Sequence, residues 1–161
     1  MSPQVEQATQ RTARTTRFGE VDNLQRIHTV APSSHTVDVQ LLLVALGGAL
    51  GSVCRFGLSS AVQRLSSPFF PYGTFVVNVL GCLAFGVIMG AARQRFVLGP
   101  SERAFLLIGV LGGFTTFSTF TYETFALLQD GEIVRALVNT GGQVVCGLVA
   151  LWAGYVMVGA L

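Results

Sequence analysis

Residues 109–123 hold the densest group of polar side chains within an apolar part of the chain. Adjacent glycines and β-branched threonines are poor helix formers, so a helix would most easily unwind here. Backbone groups freed inside a bilayer must bond to protein, ion or water, because lipid offers no partner. The stretch therefore indicates a place where something polar is bound or conducted, or else a straight helix whose glycines pack and whose hydroxyls bond back along the chain. Its glycine, hydroxyl and phenylalanine residues are Gly109, Gly112, Gly113, Thr115, Thr116, Ser118, Thr119, Thr121, Phe114, Phe117 and Phe120.

Three side-chain amides lie in other apolar segments, at Asn78, Asn139 and Gln143. Each amide could join two helices by hydrogen bonds, or could turn its donors toward a pore and replace part of an anion's hydration shell. Asn139 and Gln143 are four residues apart and so lie on one helix face. Together with the hydroxyls of residues 115–121 they predict a polar track, with helix–helix bonding as the open alternative.

Arg55 and Glu123 are charged side chains that fall in apolar segments. Arg55 either extends to the membrane interface or acts as a fixed positive charge that attracts anions into a vestibule or anchors a neighbouring helix end. Glu123 is the only acid well inside a spanning segment, and it comes near the end of that segment, where it could face water. The spanning region contains no paired carboxylates, Ser/His/Asp set, Cys/His pair or phosphate-binding loop. We therefore predict that the protein is not an enzyme.

The composition is that of a chain built for lipid: 51% of residues are hydrophobic and 11% are charged, against roughly 25% charged residues in average soluble chains. The net charge of +2 is too small to indicate a nucleic-acid partner, and no basic stripe is present. Cys54, Cys82 and Cys146 are isolated in apolar surroundings and are predicted to pack as small hydrophobic residues.

Four apolar segments are each long enough to cross a bilayer, at about 39–62, 73–92, 104–128 and 133–161. The links between them are too short for an extramembrane domain, so residues 39–161 are predicted to form an all-α domain of four transmembrane helices. Residues 1–38 are polar and lack the apolar core of a secretory signal. They are predicted to form a disordered cytoplasmic tail.

Glycines recur at four-residue spacing in three of the segments, as Gly47 with Gly51, Gly86 with Gly90, and Gly109 with Gly113. This spacing lets helix backbones approach closely in a membrane. The arginines outside the tail are divided almost evenly between the two predicted faces. Because that bias barely fixes an orientation, such a chain could insert both ways and pair with an antiparallel copy.

Three segments resemble the CrcB/Fluc family of fluoride channels: residues 47–56, with Arg55, residues 73–81, with Asn78, and residues 112–120. The third, Gly-Gly-Phe-Thr-Thr-Phe-Ser-Thr-Phe, is highly specific. The resemblance implies four transmembrane helices with the third broken near its centre, and an antiparallel, dual-topology homodimer with two fluoride pores. It also implies a structural sodium ion and passive export of fluoride across the cell inner (plasma) membrane.

The resemblance also assigns roles to individual residues. It implies that Phe117 and Phe120 are the pore phenylalanines and that Asn78 is the pore asparagine. We expect residues 112–115 to be non-helical, so that backbone carbonyls there face the sodium ion. The fourth helix departs from the family, which often has Tyr and Ser where this chain has Asn139 and Gln143. The implied sites are a fluoride pore of Asn78, Phe117, Phe120, Thr116, Ser118, Asn139 and Gln143, vestibule residues Arg55 and Glu123, and sodium carbonyls of Gly112 and Thr115.

The chemistry of fluoride agrees with these assignments. Fluoride is small and strongly hydrated, so a pore must replace its water with hydrogen-bond donors, which hydroxyls and carboxamides supply. Phenyl rings add the positive edge of their quadrupole.

Two other functions compete with this hypothesis. A small four-helix drug exporter would need an embedded acid in its first helix, and residues 39–62 contain none. A scaffold protein would explain the glycines and leave the hydroxyls and amides unexplained.

Overall fold

The computed structural model describes residues 34–94 and 97–159. The chain divides into two compact units, Met1–Val37 and Asp38–Leu161. Of the first unit only residues 34–37 are described, so most of the predicted tail, residues 1–33, lies outside the described residues, as do residues 160–161. All four spans lie in the second unit, except that the first helix begins in the last four residues of the first unit.

The described residues form four long helical segments: a first helix, Ser34–Leu65, a second helix, Tyr72–Gln94, a third span, Pro100–Gln129, and a fourth helix, Ile133–Gly159. Each contains a stretch that is long and apolar enough to cross a membrane, and the described residues contain no strand. The prediction of an all-α, multi-pass membrane protein is confirmed.

The first helix begins at Ser34, five residues before the predicted start of the first span at 39. Residues 34–38, the last part of the predicted tail, are helical in the structure, and the disordered tail stays a prediction. Hydropathy marks the part of a helix that lies in lipid, whereas the helix itself can continue through polar residues such as Asp38 into water.

The third span is irregular. It contains a helical turn, Pro100–Glu102, a π-helical segment, Arg103–Leu111, a second turn, Gly112–Phe114, and an α-helix, Phe117–Gln129. Thr115 and Thr116 lie between the last two in extended backbone, with φ/ψ of −86°/156° and −147°/112°. The expectation that residues 112–115 are all non-helical was wrong for Gly112–Phe114. Glycine costs a helix only about 1 kcal/mol, whereas two adjacent β-branched threonines favour extended backbone.

Glycines form two close helix–helix contacts, as their spacing predicts. In the first, a Cβ added to Gly109 of the third span would lie 3.0 Å from Gly47 Cα of the first helix. In the second, a Cβ on Gly86 would overlap the carbonyl oxygen of Leu151 in the fourth helix. The first helix therefore packs closely against the third span, and the second helix packs closely against the fourth.

Gln63 fixes the link between the first and second helices. Its Nε2 donates to the carbonyl oxygens of Ser67 and Phe70 at 3.3 and 3.1 Å, and its Oε1 accepts from Gly73 N at 3.1 Å. The last interaction satisfies one N–H of the first turn of the second helix, which has no partner within that helix. Gln63 thereby ties the first helix to the start of the helix that carries Asn78.

Replacing Gly86 by Ala is expected to destabilise the protein by roughly 1–3 kcal/mol, because the added methyl group collides with Leu151 backbone rather than with a flexible side chain. Gly57→Ala is the matched control, since a Cβ at Gly57 meets nothing within 4 Å. The resistance of the purified variants to heating in detergent, followed by the folded fraction recovered on gel filtration, measures the difference. Equal resistance of the two variants would contradict the packing described here.

Candidate functional site

Asn78 of the second helix binds the extended backbone of the third span through both of its polar atoms. Thr116 N donates to Asn78 Oδ1 at 2.9 Å, and Asn78 Nδ2 donates to Thr116 O at 3.2 Å. In a continuous α-helix Thr116 N would bond to the carbonyl of Gly112, four residues earlier. The asparagine side chain replaces that helical partner.

Arg55 and Ser52, both on the first helix, contact the same backbone segment from another side. Arg55 Nε donates to Gly113 O at 3.1 Å, and Ser52 Oγ lies at the longer distance of 3.5 Å from that oxygen. A hydrogen bond from a charged donor is roughly twice as strong as a neutral one. The half-buried Arg55 thus contacts a neighbouring helix end, as the anchoring interpretation of this residue expects.

The helix Phe117–Gln129 begins at a side-chain cap. Thr116 Oγ1 accepts from Thr119 N at 3.3 Å and lies 2.8 Å from Thr119 Oγ1. Threonine is a favourable N-cap residue because its hydroxyl satisfies an N–H that the first helical turn leaves open. Thr116 therefore contacts Asn78 through its backbone and starts the next helix through its side chain.

The helical donors of two carbonyl oxygens bond to other acceptors at this point. The donor for Gly112 O would be Thr116 N, which bonds to Asn78, and the donor for Thr115 O would be Thr119 N, which bonds to Thr116 Oγ1. Gly113 O differs from these, because it accepts from Arg55. Carbonyl oxygens released at a helix interruption are suitable ligands for a hard cation such as sodium. Gly112 and Thr115 are therefore the residues that could hold the sodium ion implied by the resemblance.

The rings of Phe117 and Phe120 lie next to each other just after this segment. Their centroids are 5.6 Å apart and their planes are inclined by 52°. The side chain of Phe117 is 78% exposed in the single chain. Phe120 is half-buried.

An open cavity of about 460 Å³ adjoins both rings. Apart from polar groups of the second and fourth helices, its wall is largely apolar. Gly81 faces Thr115 so closely that a Cβ there would overlap the threonine methyl group. The predicted site residues that line this cavity are Asn78, Gly112, Thr115, Thr116, Phe117, Phe120 and Gln143.

The two carboxamides of the fourth helix occupy different environments. Gln143 lines the cavity and its Oε1 accepts from Asn78 Nδ2 at 2.7 Å. Asn139 has no exposed surface, is not among the residues that line this cavity, and accepts from Gln143 Nε2 at 3.0 Å. Its Nδ2 donates to Thr124 Oγ1 at 2.8 Å. Within the single chain the two amides join helices, which is the alternative that the sequence left open.

The remaining predicted residues lie apart from the 460 Å³ cavity. Arg55 lines a smaller one of about 90 Å³, shared with Thr116 and Thr119. Glu123 borders a third cavity of about 300 Å³, and its Oε1 accepts from Thr74 Oγ1 at 2.7 Å. The other carboxylate oxygen of Glu123 is buried without a hydrogen-bond partner among the described residues. Ser118 is exposed.

Three contributors were not predicted from sequence: Ser52, Thr74 and Thr124. Thr74 lies four residues before Asn78 and so on its helix face, a spacing that could have indicated it. Thr124 bonds to the backbone four residues earlier, at Phe120 O, as threonines in helices commonly do. Its contact with Asn139 depends on how two helices align, which sequence spacing does not contain.

The family whose model matches residues 42–155 is described as CrcB-like protein, Camphor Resistance (CrcB). The "Fluoride-specific ion channel FluC" of Nitratidesulfovibrio vulgaris (strain DSM 19637 / Miyazaki F) is 49% identical over 115 residues, which are 71% of this chain and 93% of that protein. The protein of the same name from Hydrogenovibrio crunogenus (strain DSM 25203 / XCL-2) is 47% identical over 116 residues, 72% of this chain and 88% of that protein.

Thr116→Val removes the capping oxygen while keeping the β-branched shape. We expect it to destabilise the protein by roughly 1 kcal/mol, the usual value of an N-cap, and to speed amide hydrogen exchange in the first turn after Thr116. Thr116→Ser retains the hydroxyl and serves as the control. If valine and serine variants exchange alike at Thr119, the hydroxyl does not cap this helix.

Proposed function

The chain belongs to the CrcB family, and we propose that it is a fluoride-selective channel that lets fluoride leave the cytoplasm passively and so limits fluoride toxicity. The family membership implied by the sequence is confirmed by the match over residues 42–155, and with it the prediction that the protein is not an enzyme. The observation that carries the proposal is that Phe117, Phe120 and Asn78, from two separate motifs, line one cavity.

Fluoride would exchange its water in this cavity for ring edges and polar hydrogens. Phe117 and Phe120 offer adjacent rings at different inclinations, so that an anion beside them can meet the edge of each. Asn78 reaches the cavity with its amide protons directed at Thr116 O and Gln143 Oε1. A fluoride ion bound at Asn78 would take the place of Gln143 as acceptor. Thr116 and Ser118 flank the phenylalanines and complete the proposed path.

The proposed assembly is an antiparallel, dual-topology homodimer with two pores. In the single chain the cavity is open, and Phe117, which lines it, has most of its side chain exposed. A second copy would cover this surface and close the path against lipid. The nearly even division of arginines between the two faces supports insertion in both orientations. The proposed location is the cell inner membrane.

The extended pair Thr115–Thr116 serves in this assembly as the break of the third helix. The carbonyl groups of Gly112 and Thr115, whose helical donors are engaged elsewhere, would hold a structural sodium ion. Such an ion supplies positive charge to backbone oxygens that lipid cannot solvate. Arg55 and Glu123 are proposed to face the two vestibules, where Arg55 also contacts Gly113 O.

Purified protein reconstituted into liposomes is expected to release trapped fluoride and to retain chloride. Phe117→Ile and Phe120→Ile keep an apolar side chain and remove the ring edge. Each is expected to lower fluoride efflux at least about tenfold, a barrier change of roughly 1.4 kcal/mol, without loss of folded protein. A fluoride-selective electrode records efflux, and gel filtration of the same preparation records assembly.

Phe125→Ile is the matched control, because Phe125 lies on the same helix, is 54% exposed and does not line the cavity. Wild-type liposomes that retain fluoride would contradict the proposed function. If Phe117→Ile and Phe120→Ile assemble well and show normal efflux, the protein is a fluoride channel but its path does not run along these rings.

The dual-topology proposal is tested by labelling Ser101→Cys, in the exposed first turn of the third span, in a background where Cys54, Cys82 and Cys146 are Ala. An impermeant maleimide should reach about half of the molecules from each side of the cell membrane, as expected when arginine bias does not select an orientation. Labelling from one side only, with fluoride efflux retained, would contradict it. Assembly with a second homologous chain would appear as a second protein in the purified complex.

A further inference from the structure

We propose that Gln143, Asn139 and Thr124 are positioning residues that hold the turn bearing Phe117 and Phe120 through one continuous, directional chain of hydrogen bonds. Its importance for conduction rests on the proposed function, whereas the hydrogen-bond chain itself does not. This assigns Asn139 a place behind the fluoride path rather than in its wall.

The chain of bonds leaves the third span at Thr116 and returns to it at Phe120. Thr116 N donates to Asn78 Oδ1, and Asn78 Nδ2 donates to Gln143 Oε1. Gln143 Nε2 donates to Asn139 Oδ1, and Asn139 Nδ2 donates to Thr124 Oγ1. The Thr124 hydroxyl then donates to Phe120 O at 2.8 Å. Every donor–acceptor distance along this path is between 2.7 and 3.0 Å.

The backbone groups at the two ends set the direction of all the intervening bonds. Thr116 N–H can only donate, so the oxygen of Asn78 must face it, and the nitrogen of Asn78 must face Gln143. At the far end Phe120 O can only accept, so the single hydroxyl proton of Thr124 is used there and Thr124 must accept from Asn139. Both ends therefore demand the same orientation of the three carboxamides. An inverted amide at any position would place two donors or two acceptors against each other.

The two ends of this hydrogen-bond chain bracket the turn that carries both rings. Thr116 directly precedes Phe117, and Phe120 itself supplies the final acceptor. The bonds pass through the second and fourth helices, so the turn is fixed to two other elements at once. A shift of this turn by one residue would break bonds at both ends.

Burial separates the role of Asn139 from that of a pore donor. Asn139 has no exposed surface, and each of its polar atoms has a bond along the chain. Removing one partner of a buried polar group leaves the other unsatisfied and is strongly unfavourable. Gln143 is different, since it also lines the cavity. Because Gln143 bonds to both residues, the orientation of the Asn139 amide determines that of the Asn78 amide, which lies where the proposed fluoride path begins.

Thr124→Val tests the hydrogen-bond chain at the side chain that lies farthest along it from Asn78. Thr121→Val is the matched control, because Thr121 is on the same helix and its hydroxyl bonds to the carbonyl four residues earlier, at Phe117 O, without contacting an amide. Thr124→Ser is the rescue variant. Hydrogen exchange of the side-chain amides is followed by NMR in fluoride-free nanodiscs containing full-length protein labelled with ¹⁵N at Asn and Gln.

In Thr124→Val we expect exchange to accelerate roughly fivefold to tenfold, the factor that corresponds to one net hydrogen bond, at Asn139, Gln143 and Asn78. Thr124→Ser should reverse most of this acceleration, and Thr121→Val should show none. Fluoride efflux should fall in Thr124→Val and recover in Thr124→Ser. In the wild type, the carboxamides of Asn139 and Gln143 should exchange at least about ten times more slowly than that of exposed Gln129.

The continuous hydrogen-bond chain would be overturned if Thr124→Val accelerated amide exchange at Asn139 alone. It would also be overturned if Thr121→Val accelerated exchange as much as Thr124→Val does. Fast exchange of wild-type Asn139 would overturn it even if Thr124→Val does not fold. Acceleration at all three amides with unchanged fluoride efflux would refute the positioning role and leave the proposed function intact. Absence of fluoride efflux from the wild type would instead refute the proposed function, while the exchange rates still decide whether the chain of bonds exists.

Discussion

A backbone that leaves the helix inside a bilayer must have its polar groups satisfied by protein or by an ion, because lipid supplies no hydrogen bonds. The extended pair Thr115–Thr116 meets this constraint through side chains from other helices. Asn78 replaces the helical partner of Thr116 N, and Arg55 takes the carbonyl of Gly113. The rest of the site depends on these two contacts, since they allow the helix to end and start again where the phenylalanines lie.

The same contacts divide the freed carbonyl groups into two sets. Gly113 O is satisfied by a charged side chain, whereas the donors of Gly112 O and Thr115 O are occupied elsewhere. The first set anchors the first helix to the third span, and the second contains the carbonyl groups that we propose as sodium ligands. Asn78 also connects this backbone to the fourth helix through Gln143. A single asparagine thus couples the helix interruption, the proposed ion path and helix packing.

Much of the fold and part of the site follow from the sequence. Long apolar segments separated by short links predict four helices, and glycine spacing predicts the close contact of Gly47 with Gly109. Poor helix formers indicate that the helix is most easily interrupted within residues 109–123, and the extended pair Thr115–Thr116 lies in this stretch. The position of the extended pair could not be predicted, because glycine permits both helix and turn, and the outcome is decided by whether a partner such as Asn78 lies opposite. Thr124 was missed for a similar reason: nothing in the sequence separates it from Thr121.

The hydrogen bond from Thr116 N to Asn78 can be measured directly in a lipid bilayer by solid-state NMR. The protein would carry ¹⁵N-threonine and ¹³C-asparagine, with Asn78→Ser identifying the signal. The N···Oδ1 distance of 2.9 Å predicts a measurable through-space dipolar coupling between Thr116 ¹⁵N and Asn78 ¹³Cγ. Absence of this coupling, together with a helical contact between Thr116 ¹⁵N and ¹³C-labelled Gly112 carbonyl, would show an uninterrupted helix and contradict the account.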